Sequence, residues 1–160
     1  MFSIEVYKPA YQEQVIDLIL YIQQQEFQVP ISIHDQADLK DIDNYYKKGH
    51  GNFWVAVAND NVVGTVALLD IANGQAALRK MFVRKDYRGS EKQTGQLLLN
   101  NLFEWCKTHG KHEIYLGTLE KMKAACKFYL KNGFQEIPKH SLPPNYPVMA
   151  VDNLFFRKMI

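Results

Sequence analysis

The stretch MFVRKDYRGSEKQTGQLLL, residues 81–99, passes from an apolar strand through a basic turn into an amphipathic helix. The first N–H groups of a helix have no intrahelical partner, and the aligned peptide dipoles add partial positive charge at the same end. Gly89 and Gly95 allow the backbone to turn tightly and to approach a ligand closely. We expect this turn to bind the phosphates of a cofactor through backbone N–H groups, assisted by four basic side chains, Arg84, Lys85, Arg88 and Lys92.

Length and composition predict one globular domain that spans residues 1–160. A chain of this length can bury roughly 70% of its unfolded surface, so no second domain is needed. The apolar runs are shorter than the roughly 20 residues that cross a bilayer, and the start of the chain lacks the features of a signal peptide. We therefore expect a cytoplasmic protein with no membrane contact. A net charge of +2 is too small for a general nucleic-acid binder, so nucleic acid is not an expected partner.

The cysteines and histidines do not form a metal-binding or disulfide pattern. Cys106 and Cys126 both lie in predicted helices among apolar neighbours, which favours reduced, packed thiols over catalytic or metal-bound ones. The five histidines show no paired spacing typical of zinc ligands. We expect no metal site.

The first half of the chain predicts a strand, two helices and three antiparallel strands. The first helix is amphipathic and ends before Pro30, and the second is expected to be largely solvated because it begins with acids and ends with lysines. The strands follow the alternating apolar pattern and are separated by polar turns. The predicted bounds are 2–8 for the first strand, 11–27 and 34–49 for the helices, and 53–58, 62–69 and 76–83 for the later strands.

The second half alternates helices and strands, which indicates crossover connections and a partly parallel sheet. A proline-rich loop at 141–147 precedes the final strand, 148–158, which we expect at the sheet edge, where two copies could pair as a homodimer. The other predicted elements are a helix at 94–109, a strand at 112–118, a helix at 121–132 and an extended segment at 133–138.

This order of elements, together with two motifs, resembles the GNAT superfamily of acyl-CoA-dependent N-acyltransferases. The family usually carries Arg or Gln, two variable residues, Gly, one variable residue and then Gly or Ala after its fourth strand. Here Arg88 and Gly89 match the opening, two additional residues follow, and Gln93 stands where the family has glycine before Thr94 and Gly95.

The second motif is ACKFYLKNGF, residues 125–134, which is similar to the family pattern Ala-x-x-x-Tyr-x-x-x-Gly-Phe at every named position. In relatives, an asparagine that contacts the cofactor commonly lies three residues before this alanine. Met122 occupies that place here. The resemblance covers nearly the whole chain.

The resemblance implies an α/β (α+β) fold with a mixed central sheet of six to seven strands and about four flanking helices. It also implies transfer of acetyl from acetyl-CoA to a primary amine of a small molecule or peptide, by direct attack without a covalent enzyme intermediate. Two alternatives stay open. One is a regulatory module that binds acyl-CoA without catalysis, and the other is a purely structural interaction domain.

The resemblance also implies roles for individual residues. Tyr129 resembles the family tyrosine that donates a proton or hydrogen bond to the sulfur of the cofactor. The pantetheine arm would lie as an added strand against the backbone of Phe82 and Val83, and a β-bulge near Met81 or Phe82 would free one N–H for the oxyanion. The cofactor-binding residues implied in the turn are Arg88, Gly89, Gln93, Thr94, Gly95 and Gln96.

The sequence is less specific about the group that accepts the proton of the amine and about the pocket that binds the amine. An amine of pKa about 10.4 must lose a proton before it attacks, so a carboxylate or an ordered water is required. Glu120 is our candidate base and Asp70 a second one, although each also fits a solvated surface carboxylate. The acceptor pocket is expected between the loops 28–34 and 141–147, where Phe27 and Tyr146 either receive an apolar acceptor or cover the core.

Overall fold

In the computed structural model, which describes residues 1–160, seven strands form one mixed sheet. Their order is β1-β2-β3-β4-β5-β7-β6, and only the β4–β5 pair is parallel. The predicted mixed sheet is therefore confirmed. The strands are β1 (Ser3–Val6), β2 (Asn52–Ala58), β3 (Asn61–Asp70), β4 (Gln75–Val83), β5 (Glu113–Thr118), β6 (Gln135–Ile137) and β7 (Leu154–Met159).

Helices cover both faces of this sheet. Residues of β2 alternate between the two sides, so that Trp54 packs in one apolar cluster with the helices at 94–108 and 123–131, while Phe53 packs in another with those at 12–20 and 42–46. A strand buried on both faces reads as a continuous apolar run, which is the pattern of this segment. None of the helices is both long and apolar enough to cross a membrane. They are α1 (Gln12–Leu20), which continues as a π-helical segment (Tyr21–Glu26), α2 (Ile42–Tyr46), α3 (Thr94–Thr108) and α4 (Lys123–Lys131).

The prediction of one continuous helix over 34–49 is wrong, although most residues of the segment are exposed as expected. The segment forms two 3-10 turns and the five-residue α2, and it contributes buried apolar residues to the core. Asp38 is buried as well, because it accepts a hydrogen bond from the Tyr46 hydroxyl at 2.5 Å and pairs with Lys80 at 3.5 Å. The acidic pattern therefore includes one buried ion pair, while Asp35 and Asp41 are exposed.

The final strand was also predicted incorrectly in its extent and position. It begins at Leu154 rather than at residue 148, and it pairs with β5 on one side and β6 on the other. The three-residue β6 forms the sheet edge instead. Since β6 covers β7, the predicted pairing of two copies through the final strand has no open edge, and a homodimer stays a prediction without this contact.

Strand β4 is irregular at two places that shape the centre of the molecule. It pairs with β5 only over Gln75–Ala77, so the two strands separate beyond that point. On its other side the register with β3 shifts between Arg79 and Phe82, which leaves two residues of β4 opposite Val66 and produces the expected bulge. Lys80 lies in this bulge with a φ of +53°. The Thr65 hydroxyl donates to the Lys80 carbonyl at 2.7 Å and supports this conformation.

Candidate active site

A cavity of about 370 Å³ lies between the second half of β4, the start of α3 and one face of α4. It brings together most of the residues that the sequence indicated, whereas Thr94 and Glu120 do not line it. A larger depression of about 780 Å³ lies beside α1 and contains Arg84 and Lys85 of the basic turn, but none of the other residues that the sequence indicated. The predicted residues in the smaller cavity are Phe82, Val83, Arg88, Gly89, Gln93, Gly95, Gln96 and Tyr129.

The wall opposite β4 is apolar and was not predicted as part of the site. Met122, which precedes α4, lines the cavity together with Ala125 and Phe128 of α4 and Met81 of β4. These α4 positions are spaced by three residues, which places them on one side of a helix, so the helical period could have indicated them. The result is a narrow and mainly apolar slot between a strand and a helix, whose polar lining includes Tyr129, Gln93 and Gln96.

The start of α3 supplies unpaired backbone donors at the other end of the cavity. The N–H groups of Thr94, Gly95 and Gln96 donate to no backbone carbonyl. Gly89 has a φ of +102°, and a Cβ built there would meet nothing within 4 Å, so the turn leaves open space in front of the helix. Free N–H groups and the helix dipole at an open turn suit a phosphate oxygen. The residues present therefore fit the diphosphate of coenzyme A.

Gln93 precedes α3 in a left-handed conformation, with a φ of +59°. Its side-chain amide donates to the Ser90 carbonyl at 2.5 Å, and its own N–H donates to the Gly89 carbonyl at 3.2 Å. Glycine adopts this conformation at no steric cost, which gives a physical reason for the family's glycine at this place.

We expect Gln93→Gly to raise the free energy of unfolding by about 0.5 kcal/mol. A residue with a Cβ in the left-handed conformation is strained by about 1–2 kcal/mol, and removal of this strain exceeds the entropy cost of glycine. Gln93→Val is the matched control and should lower stability by at least about 1 kcal/mol, since a β-branched residue is strained at positive φ. Urea denaturation measures both. Equal stability of the two variants would contradict the left-handed turn.

Arg88 ties the turn to the first helical segment. Its Nε donates to the Val83 carbonyl at 2.7 Å, and its two terminal nitrogens bind both carboxylate oxygens of Glu26. Hydrogen bonds from this guanidinium lower the pKa of Glu26. Because the charge of Arg88 is already paired with Glu26, a contact between Arg88 and a phosphate stays a prediction. The backbone N–H groups at the start of α3 have stronger structural support as the phosphate-binding groups.

Tyr129 projects from α4 into the cavity. Its ring packs against Phe134 and Phe156 with centroid distances of 5.7 and 6.0 Å, and its hydroxyl has no hydrogen-bond partner within the protein. Burial, with smaller contributions from Cys126 and Asp152, raises the pKa of Tyr129 well above its ordinary value. The hydroxyl therefore keeps its proton at neutral pH and is free to donate a hydrogen bond into the cavity.

The two carboxylates considered as bases lie elsewhere. Glu120 is exposed beyond the end of β5, where its backbone N–H donates to Asn153 Oδ1 at 2.8 Å. Asp70 binds the Lys111 ammonium and two backbone N–H groups; burial alone would raise the pKa of Asp70, but these hydrogen bonds lower it. The structure does not bring either carboxylate to the cavity, and the role of Glu120 stays a prediction.

A third carboxylate, Asp152, was not indicated by the sequence; it does not line the cavity but lies beside the gap between β4 and β5. It lies in the loop before β7 and packs so closely on Gly117 of β5 that a Cβ there would come within 2.5 Å of its Oδ2. Burial raises the pKa of Asp152 to about 6, although the charges of Arg79 and Lys80 lower it. No sequence motif surrounds Asp152, so only its contact with Gly117 in the folded structure indicates it.

Known proteins share this architecture. The model of the acetyltransferase (GNAT) family matches residues 16–134. A GNAT-family acetyltransferase structure from Staphylococcus aureus Mu50 is 40% identical, covers 99% of each chain and superposes with a TM-score of 0.96. The chain belongs to the GNAT family. It is therefore an acyltransferase, and proteins of this family use acetyl-CoA.

More distant GNAT relatives agree with this assignment. N-acetylaspartate synthetase from Xenopus tropicalis is 33% identical over 126 residues, which are 76% of this chain and 46% of that protein. The chain thus spans less than half the length of the curated relatives it matches first. A Thermoplasma acidophilum N-acetyltransferase solved in complex with coenzyme A is 19% identical, covers 100% of this chain and 99% of that one, and shares the fold with a TM-score of 0.78.

Proposed function

We propose that this GNAT acyltransferase transfers acetyl from acetyl-CoA to a primary amine of a small molecule or peptide, by direct attack. The observation that carries the proposal is the cavity itself. It joins the bulged strand β4, the unpaired N–H groups at the start of α3 and the free hydroxyl of Tyr129.

Strand β4 offers an unpaired edge for the pantetheine arm. Beyond Ala77 it has no partner on the β5 side, so the backbone of Phe82 and Val83 is available to an added strand. The bulge beside these residues supports the proposal of a free N–H near Met81 or Phe82 that stabilises the oxyanion.

The chemistry requires two proton movements. The acceptor ammonium loses one proton before attack, the nitrogen then forms the C–N bond, the C–S bond breaks, and the second proton of the nitrogen ends on the departing sulfur. Because the pKa of Tyr129 lies above its ordinary value, while that of a free thiol is about 8.5, Tyr129 stabilises the thiolate by a hydrogen bond rather than by full proton transfer.

Direct attack is favoured because no cysteine is placed to carry the acetyl group. Cys106 and Cys126 are free, as predicted, but neither lines the cavity. Burial raises the pKa of the Cys106 thiol to about 12, so it is a poor nucleophile at neutral pH.

Calorimetry with CoA, followed by thiol release from acetyl-CoA with a panel of amines, tests the proposal. The panel begins with free amino acids, because curated relatives are named for N-acetylaspartate, and continues with polyamines and peptides. We expect CoA binding, and thiol release that requires both acetyl-CoA and one class of amine.

A second candidate is a non-catalytic module that binds acyl-CoA. Gln93 and Met122 favour it, since both line the cavity at places where the family has other residues. CoA binding without thiol release for any amine would support this candidate, and absence of CoA binding would contradict both functions.

A further inference from the structure

Asp152 lies beside the gap where β4 and β5 separate. The pairing of these strands ends at Ala77 and Tyr115, and Gly117 follows two residues later. The Asp152 carboxylate packs against Gly117, where only a residue without a Cβ leaves it room. The same carboxylate lies close enough to Arg79 and Lys80 of β4 for their charges to act on it. It therefore lies against β5 beside the gap, within electrostatic reach of β4.

The groups around Asp152 are charged or polar, yet none of them donates a hydrogen bond to its carboxylate. Arg79 and Lys80 of β4 are the cations whose charges act on it, and both residues are only 8% exposed. Tyr129 faces it from α4, and Tyr146 faces it from the loop before β7, with its hydroxyl beside the backbone of Gly117.

The two cations near Asp152 already have other neighbours. The Lys80 ammonium binds Gln36 Oε1 and pairs with Asp38 at 3.5 Å. Arg79 contacts the Met149 sulfur at 3.1 Å through Nη2, while its Nη1 has no partner. No hydrogen bond of the structure reaches the Asp152 carboxylate, so its lone pairs are unused, in a place that excludes much of the solvent.

We propose that Asp152 binds the ammonium group of the acceptor and accepts the proton that this group loses before attack. The proposal rests on the acetyl transfer described above. In this step an N–H bond breaks, the electron pair stays on nitrogen, and the proton forms an O–H bond on the carboxylate before it passes to solvent.

The charges around the gap support this step physically. Arg79 and Lys80 lie near any ammonium that binds Asp152, and like charges lower the pKa of an ammonium. Burial brings the pKa of Asp152 up to about 6. Both effects bring the pKa values of the ammonium and of the Asp152 carboxyl closer together, which is the condition for efficient proton transfer near neutral pH.

Tyr129 connects Asp152 to the thioester side of the site. The Asp152 charge contributes to the raised pKa of Tyr129, so the two side chains lie within electrostatic reach of one another. An amine held by Asp152 therefore approaches from the β5 side of the gap, while Tyr129 faces the cavity from α4. Exposed Glu120 has no such relation to Tyr129.

The test is Asp152→Asn, assayed by thiol release with the amine from the panel that wild-type protein acetylates fastest. We expect kcat/KM at high pH to fall by about 100-fold or more, since general base catalysis contributes roughly 10²–10⁴. In the wild-type protein the rate should fall as pH drops through about 6, because the protonated carboxyl no longer accepts a proton. This acid limb should disappear in Asp152→Asn, while the Kd for CoA stays unchanged.

Two further carboxylate variants make the test specific. Asp60→Asn, on the exposed β2–β3 turn, should keep both the rate and the acid limb. Glu120→Gln tests the competing base: loss of the acid limb in Glu120→Gln, with retention in Asp152→Asn, would overturn the proposal. Activity of Asp152→Asn within about threefold of wild type, with an unchanged pH profile, would also overturn it.

Chemical rescue distinguishes proton transfer from a structural role. The rate of Asp152→Ala should rise with added formate, which can occupy the vacated space and accept the proton, and a rate that formate does not raise would contradict the role. If wild-type protein binds CoA but releases no thiol with any amine, the proposed function itself fails, and the role of Asp152 fails with it.

Discussion

We expect Tyr129→Phe to lower kcat by about 100-fold, the loss typical of removing one donor to a developing anion. The reason is that the Tyr129 hydroxyl is buried, has no partner within the protein and faces the cavity, so a ligand sulfur is its available acceptor. The Kd for CoA should change by less than about twofold, because the interaction strengthens only as the thiolate develops. Thiol release and calorimetry measure the two quantities.

The stability of this variant separates chemistry from folding. Since the hydroxyl makes no hydrogen bond, its removal should leave the urea midpoint equal or slightly higher. Tyr115→Phe is a control outside the cavity: Tyr115 is buried in β5 and its hydroxyl donates to Glu113 at 2.7 Å. It should keep full kcat. An unchanged kcat in Tyr129→Phe would exclude this residue from the mechanism.

The parts of the fold that the sequence predicted correctly carry strong local signals. The β2–β3 hairpin alternates around the turn at Asn59, and α4 ends at Lys131, close to its predicted end just before the Gly133-Phe134 pair. The cofactor end of the site was also predictable, because its residues lie within the short stretch 82–96 and a strand, a turn and a helix place them together.

The parts that were missed depend on contacts between distant segments. The local pattern of segment 34–49 indicated its exposed residues, but the burial of Asp38 depends on Lys80, which also binds Gln36, 44 residues before it. Arg88 was expected at a phosphate, yet it pairs with Glu26, 62 residues away. The position of the base is a similar case, since Asp152 meets Gly117 only after β7 inserts between β5 and β6.

The buried ion pair beneath the bulge should be essential for stability. In Asp38→Ala, the ammonium of Lys80 loses its counter-charge and the hydroxyl of Tyr46 loses its acceptor. Removing one partner of a buried pair typically costs about 3–5 kcal/mol, so we expect a loss of that order in the free energy of unfolding near neutral pH. Urea denaturation measures it. Asp86→Ala, which removes an exposed carboxylate paired with Arg84, should leave the urea midpoint unchanged.

The pH dependence of this loss identifies Lys80 as its cause. Burial lowers the pKa of Lys80 to about 8, despite the attraction of Asp38. The unfolded chain, with the ordinary value of 10.5, therefore binds more protons than the folded one between these two pH values, and the Lys80 contribution to stability rises with pH across that range. Without Asp38 the folded pKa falls further, so the rise in Asp38→Ala should begin at lower pH than in wild type.

A double variant tests whether the unpaired ammonium of Lys80 causes the loss of stability. Lys80→Met in the Asp38→Ala background removes the unpaired buried ammonium and should recover part of the lost stability. If the double variant is no more stable than Asp38→Ala alone, the buried charge is not the cause of the loss. Because Lys80 lies in the bulge proposed to stabilise the oxyanion, Asp38→Ala should also lower kcat at temperatures where it stays folded. An unchanged kcat would show that the ion pair does not control the geometry of the bulge.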